Sequence, residues 1–424
     1  MNRLPWQVPD RHWEPRLKAW RWWLFSPLRR LYARVVEKID HIEVQHEDRV
    51  RRCLTEGKAV LILPNHPGHA DSSAILAAAE RFGRPVYFMT AWQVFAMAGY
   101  WERRIYEWHG CFSVDREGID RRALRTALEI LMDGTYPLVI FPEGEVYHLN
   151  DRIAPFYDGP AAIALSAARK GREVVVVPCG IRYLYVQDPM PELLEILDRI
   201  ETRIGWRPRR SLDVVQRVYR FAEAAVTLKE LEYLGRCGSG ELTTRIRHLA
   251  DTILSGLEQR HGVSSPEQTI PGRVKTLRRI ITRKLAASSV ASDGSQQLRE
   301  ELDDLHVVVQ LFSYPGNYLR ERPTLERLAE TIDKFEEDVL EAPTARPRGR
   351  RAAVVLFGEP IEIRGGDSRD RDAVAQWTKR FERAVQQLLD ELSPLQTPLA
   401  AVGSQLEGGR SGTADALCRA QLAR

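Results

Sequence analysis

The chain has 424 residues, 44% of them hydrophobic, enough to bury a substantial core. Its 62 basic and 58 acidic residues leave a formal net charge of only +4, so the overall balance calls for no nucleic-acid partner. The five cysteines, Cys53, Cys111, Cys179, Cys237 and Cys418, form no CxxC pair, which argues against a disulfide framework or a structural zinc site and fits a reducing compartment. No apolar run approaches the ~20 residues of a spanning helix, and no signal-peptide h-region stands out. The expectation is a soluble or peripheral protein on the cytoplasmic face of a membrane.

Residues 1–35 concentrate eight Lys/Arg residues against Asp10 and Glu14, together with Trp6, Trp13, Trp20, Trp22 and Trp23. Helical spacing of Trp13, Leu17, Trp20 and Leu24 predicts a helix over 12–25. Ser26-Pro27 then reads as an N-cap and first helical position of a second helix, which carries Leu28, Leu31 and Val35 beside Arg29, Arg30 and Arg34. Short helices rich in tryptophan and arginine suit the headgroup layer of an anionic bilayer; packing of the tryptophans on the protein's own core is the alternative.

From residue 59 strands and helices alternate. Strands are predicted at 59–63, 86–89, 138–141 and 174–177, and helices at 72–82, 120–132 and 159–170, the pattern of a buried, mostly parallel sheet covered by helices. The aromatic stretch 92–109 reads either as the wall of an acyl-chain groove or as plain core. Between 190 and 350 helical patterns dominate, at 192–203, 211–231, 241–260 and 323–340, with linkers near 237–240 and 288–295. A strand returns at 352–357 and a helix at 372–392. The resulting division is amphipathic docking helices (1–45), an α/β core (46–189), a helical insertion (190–350), a core strand with a C-terminal helix (351–395), and a disordered tail (396–424).

Four strings carry chemistry. Pro64-Asn65-His66-Pro67-Gly68-His69-Ala70-Asp71 lies between a strand and a helix. A histidine titrates near neutrality and can take the proton of an attacking hydroxyl, while a nearby carboxylate fixes its tautomer. His69 is a rival base without a similarly spaced acid downstream. Gly110-Cys111-Phe112-Ser113-Val114-Asp115-Arg116 presents an arginine suited to phosphate or carboxylate. Phe141-Pro142-Glu143-Gly144-Glu145 follows a buried strand, where Glu143 could meet an acceptor hydroxyl and Gly144 permits close backbone approach. Val177-Pro178 closes the next strand.

The order NHxxxxD, GxxxxxR, FPEG and VP, together with Gly358-Glu359-Pro360, resembles the glycerolipid acyltransferase family, whose members acylate glycerol-3-phosphate or lysophosphatidate. The resemblance implies His66 as general base and Asp71 as its orienter. It implies Gly110, Arg116, Glu143, Gly144 and Pro178 as substrate-binding residues. It also implies acyl-CoA or acyl carrier protein as donor, a lysolipid acceptor, a membrane-docking helix pair, and no required metal or other cofactor. The chain departs from the family where Thr, Arg and Ser commonly follow FPEG, having Glu145, Val146 and Tyr147, and where a basic residue commonly precedes the next glycine, having Tyr157-Asp158. With Arg116 as the one cation the strings supply and Arg152 as a candidate substitute, lysophosphatidate is expected to be a poorer acceptor than in family members with the full basic set, and a zwitterionic or amine-headed lysolipid or a simpler alcohol to be preferred. No GxSxG elbow supports a serine hydrolase; a non-catalytic lipid-binding scaffold is the reading from another class.

Overall fold

A computed structural model describes residues 9, 11–116, 120–263, 269–287, 293–363 and 370–399. The N-terminal part runs α1 (Ala19–Leu24), α2 (Ser26–Val35), β1 (Ile39–Gln45), α3 (Glu47–Thr55), β2 (Ala59–Pro64) and α4 (Asp71–Phe82). It continues with β3 (Tyr87–Ala91), α5 (Trp92–Met97), α6 (Tyr100–Trp108), β4 (Cys111–Val114), α7 (Arg121–Asp133), β5 (Leu138–Val139), α8 (Gly159–Arg169) and β6 (Val174–Tyr185). Seven helices follow: α9 (Met190–Arg203), α10 (Val214–Leu234), α11 (Leu242–His261), α12 (Ile270–Ala287), α13 (Asp293–Phe312), α14 (Tyr318–Glu321) and α15 (Leu325–Val339). The chain returns through β7 (Arg351–Phe357), β8 (Ile361–Glu362) and α16 (Arg371–Glu391).

The sheet order is β1-β7-β6-β2-β5-β3-β4, with β8 added to β6. Pairing is parallel except where β6 meets β7 and β8. This is the mixed, mostly parallel α/β sheet expected from the sequence. Both faces of β2 are buried: Val60 and Ile62 pack with α3 and α4, and Ala59, Leu61 and Leu63 pack with α7, α8 and α16. That two-sided burial explains why β2 reads as an unbroken apolar run. The helices from α9 to α15 bury a separate cluster that includes Leu197, Leu249, Leu254, Leu305 and Leu328.

Several boundaries differ from the sequence-based expectation. The first helix is α1 alone. Residues 13–16 instead bond to the core, Trp13 N–H to Ser113 Oγ at 2.9 Å and Arg16 N–H to Glu107 O at 2.7 Å. Pro15 lacks an amide hydrogen and disfavours helical backbone at Glu14, so a helix cannot run through this stretch. Residues 39–45, expected in the docking segment, form edge strand β1. Its charged sequence, Ile-Asp-His-Ile-Glu-Val-Gln, hides the strand because only one side is covered. The strand expected to end at Val177-Pro178 runs on to Tyr185, since a second partner, β7, takes it up from Cys179. Of the expected disordered tail, residues 396–399 are ordered against the helical block, with Leu399 N–H donating to Pro323 O at 3.0 Å. Residues from 400 onward lie outside the described ones, as does Trp6.

A long-range tie in this arrangement is made by Arg182 on β6, which is fully buried. Its Nη1 and Nη2 donate to the carbonyls of Leu392 and Leu389, each at 2.8 Å, and so cap the C-terminal end of α16. Hydrogen bonds from a charged donor contribute about 1.5–3 kcal/mol each. Arg182→Ala is expected to destabilise the protein by roughly 3 kcal/mol, because it leaves buried carbonyls unpaired. The urea midpoint checks this; an unchanged midpoint would mean α16 is held by apolar packing alone.

Candidate active site

The His66 loop, the 141–145 turn and Arg116 lie at the carboxyl ends of parallel strands, where open α/β sheets place ligands. The loop carrying His66 leaves β2, and the Phe141–Glu145 turn leaves the adjacent β5. His66 Nδ1 lies 2.7 Å from Asp71 Oδ2. Asp71 opens α4 and is completely buried, so the helix N-terminus favours its charge. Its Oδ2 also accepts the Gly68 N–H at 3.1 Å, and its Oδ1 accepts the Tyr183 hydroxyl at 2.8 Å. The imidazole is partly exposed and stacks on Phe141 at 4.3 Å between ring centroids.

Asn65 fixes where this loop begins. β2 stops opposite Cys179, while β6 continues. The Asn65 side chain takes over the vacated pairing: Nδ2 donates to Ile181 O at 3.0 Å and Oδ1 accepts Ile181 N–H at 2.7 Å. Asn150 does the same two residues further along, bonding Tyr183 O at 2.7 Å and Tyr183 N–H at 2.8 Å. Two side-chain amides thus stand in for a strand. Neither Tyr183 nor Asn150 was singled out from the sequence, because the pairings depend on contacts 33 to 116 residues apart.

Glu143 is buried and both its oxygens are engaged by backbone donors. Oε1 accepts His66 N–H and Oε2 accepts Ala154 N–H, each at 2.8 Å. It therefore brackets the His66 loop to the 142–158 segment. Burial raises its pKa from the ordinary 4.5 to about 8; the two backbone donors oppose this and the Asp71 charge adds to it. Gly144 has φ of +76°, and any Cβ there would strike the Tyr157 ring.

Arg116 joins this turn. Its Nη1 donates to Gly144 O and lies 3.2 Å from Glu145 Oε1. Glu145 thus sits against Arg116, and its pKa is lowered: burial, the largest effect, acts in the raising direction, and it is overcome by the charges of Arg116 and Arg278 among others. Lys275 and Arg278 of α12 line the same small cavity as Arg116, Glu145, Tyr147 and Tyr157. The expected substitute, Arg152, faces elsewhere and pairs with Glu321 of α14.

Two expected site residues stand apart from this cluster. Gly110 lies at the amino end of β4, at the opposite end of the sheet from the His66 loop, with φ of +87°. A Cβ there would come within 2.6 Å of Val86 O, which accounts for glycine by backbone contact. Pro178 is buried inside β6, opposite Leu63. The aromatic stretch divides: Trp92 and Phe95 pack with Trp13 as core, while Met97, Tyr100 and Trp101 are exposed. The large apolar cavity, about 320 Å³, lies elsewhere, between Tyr147–Leu149 and the helices α10, α11, α13 and α15.

A family model described as Acyltransferase matches residues 41–182, the span from β1 into β6 that holds every element of the His66 loop and the 141–145 turn. Over these residues the α/β core belongs to the acyltransferase family. No curated protein matches the chain significantly.

The raised pKa of Glu143 has a thermodynamic sign. A carboxyl whose folded pKa of about 8 exceeds its ordinary 4.5 favours the folded state when protonated. That contribution is complete below about pH 4.5 and is lost as pH rises through about 8. Glu143→Gln mimics the protonated form, so its stability is expected to fall less than that of the native protein between pH 5 and pH 8.5. Urea unfolding at the two pH values tests it; parallel losses in both proteins would assign the pH dependence to other groups.

Proposed function

We propose that the protein transfers a fatty acyl chain from acyl-CoA or acyl carrier protein to a hydroxyl of a glycerolipid-type acceptor. The observation that carries this is the 2.7 Å contact between His66 Nδ1 and the buried Asp71 carboxylate. With Nδ1–H donated to Asp71, Nε2 is the basic atom. It accepts the acceptor's hydroxyl proton as the oxygen attacks the thioester carbonyl; the C–S bond then breaks, and the proton on Nε2 passes to the departing sulfur to release the thiol. Asp71 fixes the tautomer and favours the imidazolium that forms. Tyr183 and Gly68 keep the carboxylate aimed, and Glu143 holds the loop through the His66 amide.

The acceptor reading changes with α12 in view. Where the sequence after FPEG lacks basic residues, Lys275 and Arg278 from the helical block line the same cavity as Arg116 and Glu145. This supports an acceptor bearing a phosphate, of the 1-acylglycerol-3-phosphate type, over an uncharged or amine-headed lipid. The cavity is narrow, and seating a phosphate requires these long side chains to part. Charge-assisted hydrogen bonds then replace the Arg116–Glu145 contact.

Membrane docking is supported by one exposed apolar face. Trp20, Trp23 and Leu24 of α1 and Leu28, Leu31 and Val35 of α2 are exposed, as are Tyr100, Trp101 and Ile105 of α6. Phe25, between α1 and α2, stacks on Trp108 of α6 at 6.2 Å between ring centroids. Among the described residues no helix is long and apolar enough to cross a membrane.

The decisive experiment offers radiolabelled acyl-CoA and acyl carrier protein with phosphate-bearing, zwitterionic and uncharged acceptors. His66→Ala is expected to abolish transfer, and Asp71→Asn to slow it by about 10²–10⁴. Lys275→Ala with Arg278→Ala is expected to raise KM for the phosphate-bearing acceptor and leave that for the donor. Turnover surviving in His66→Ala would overturn the mechanism, and native preference for an uncharged acceptor would overturn the acceptor assignment.

Docking is tested by sedimentation with anionic vesicles. Binding is expected to fall with salt, since each basic residue near the surface contributes about 1 kcal/mol. The combined variant Trp20→Ser, Trp23→Ser and Trp101→Ser is expected to stay in solution. Substitution is preferable to deleting the helices, because Trp22 is fully buried in the core. Undiminished binding by the triple variant would place the docking surface elsewhere.

A further inference from the structure

Outside the proposed chemistry, three polar side chains from distant segments meet beside the catalytic loop. His69 comes from the loop between His66 and Asp71, His148 from the 142–158 segment, and Glu337 from α15 of the helical block. His69 Nε2 lies 2.9 Å from Glu337 Oε1, and His148 Nε2 lies 3.1 Å from Glu337 Oε2. The three donor atoms fall within 4.8 Å of one another. We propose that His69, His148 and Glu337 form a binding site for a divalent transition metal, with zinc the best match.

The donor set is two imidazoles and a carboxylate, which suits zinc and its neighbours over the oxygen-only preferences of calcium and magnesium. In a tetrahedral zinc site with bonds of about 2.0–2.1 Å, donors stand roughly 3.3 Å apart, and each imidazole nitrogen lies near that spacing from one oxygen of the Glu337 carboxylate, 2.9 Å to Oε1 for His69 and 3.1 Å to Oε2 for His148. His148 and Glu337 are nine-tenths or more buried. Apart from its 3.1 Å contact with Glu337, the buried Nε2 of His148 has no hydrogen-bond partner among the described residues. A buried ring nitrogen in that condition calls for a further partner. His148 is held at φ of +53°, an uncommon backbone state for a residue other than glycine.

Glu337 Oε1 accepts the Ala345 N–H at 2.9 Å, an outer contact that orients the carboxylate. The neighbouring cation Lys334 is paired with Asp338 at 3.4 Å. A bound ion would fasten α15 to both loops of the core. It would set the position of the His66 loop and leave acyl transfer itself to His66 and Asp71.

The test uses full-length protein without a polyhistidine tag, stripped with chelator and titrated with cobalt(II). One equivalent is expected to bind, with visible absorption bands of a four- or five-coordinate site, and zinc is expected to displace it. His148→Asn keeps a residue that tolerates positive φ, and Glu337→Gln keeps volume; each is expected to weaken cobalt binding at least about 10-fold. Circular dichroism confirms that both variants are folded. Absence of cobalt uptake by the native protein, or native affinity in either folded variant, overturns the site. Neither readout depends on acyl transfer, so its failure is separate from that of the proposed reaction.

Discussion

The architecture around His66 depends on the burial of one carboxylate. Asp71 is wholly removed from solvent, and an unpaired ion in that position would cost several kcal/mol. The cost is offset by donors from three directions: the imidazole, the Gly68 amide and the Tyr183 hydroxyl. Tyr183 reaches Asp71 only because β6 outruns β2, and β6 can outrun β2 only because something else pairs its edge. Asn65 and Asn150 provide that pairing through their side chains. Removing either amide would leave buried backbone groups unsatisfied at the point where the His66 loop is anchored.

The 142–158 segment is the hinge between the acyltransferase core and the helical block. On one side Glu143 brackets it to the His66 amide. On the other, Asp151 accepts from Arg327 Nε at 2.9 Å and from Gln396 at 3.1 Å. Asp151 keeps a lowered pKa: its burial acts in the raising direction and is overcome by Arg327. Glu330 receives the Tyr318 hydroxyl at 2.6 Å and the Asn150 amide at 3.3 Å. The helical block is therefore packed onto the turn that carries Gly144 and Glu145. It contributes Lys275 and Arg278 to the cavity beside Arg116.

This arrangement separates two electrostatic environments along a few residues. Around Asp71 the donors are neutral or belong to His66, so the dyad's charge is held locally. Around Arg116 the groups are formally charged and lie in a confined cavity, where their interactions exceed those in water. Glu143 stands between the two, protonated more readily than an ordinary glutamate because it is buried beside Asp71. One turn thus borders both environments, with Glu143 bonded to the His66 amide and Glu145 set against Arg116.

The sequence by itself determined the elements whose residues report a local environment. Strand β2 was legible because both its faces are apolar, β7 for a similar reason, and the His66–Asp71 pair because five residues span the turn from strand to helix. Edge strand β1 was not legible, since an edge needs only half an apolar pattern, and the first helix was overdrawn because periodicity overrode Pro15. The family of the core was readable from the order of four strings. Only the tertiary structure decided what those strings touch. It paired Glu145 with Arg116, gave Glu143 two backbone partners and set Gly110 at the far end of the sheet. It also supplied two cations from α12 and brought Glu337 to His69 across 268 residues of chain. The physical reason is that spacing in sequence fixes only neighbours within a few residues, whereas the charge and hydrogen bonding of a buried site are completed by whatever packs against it.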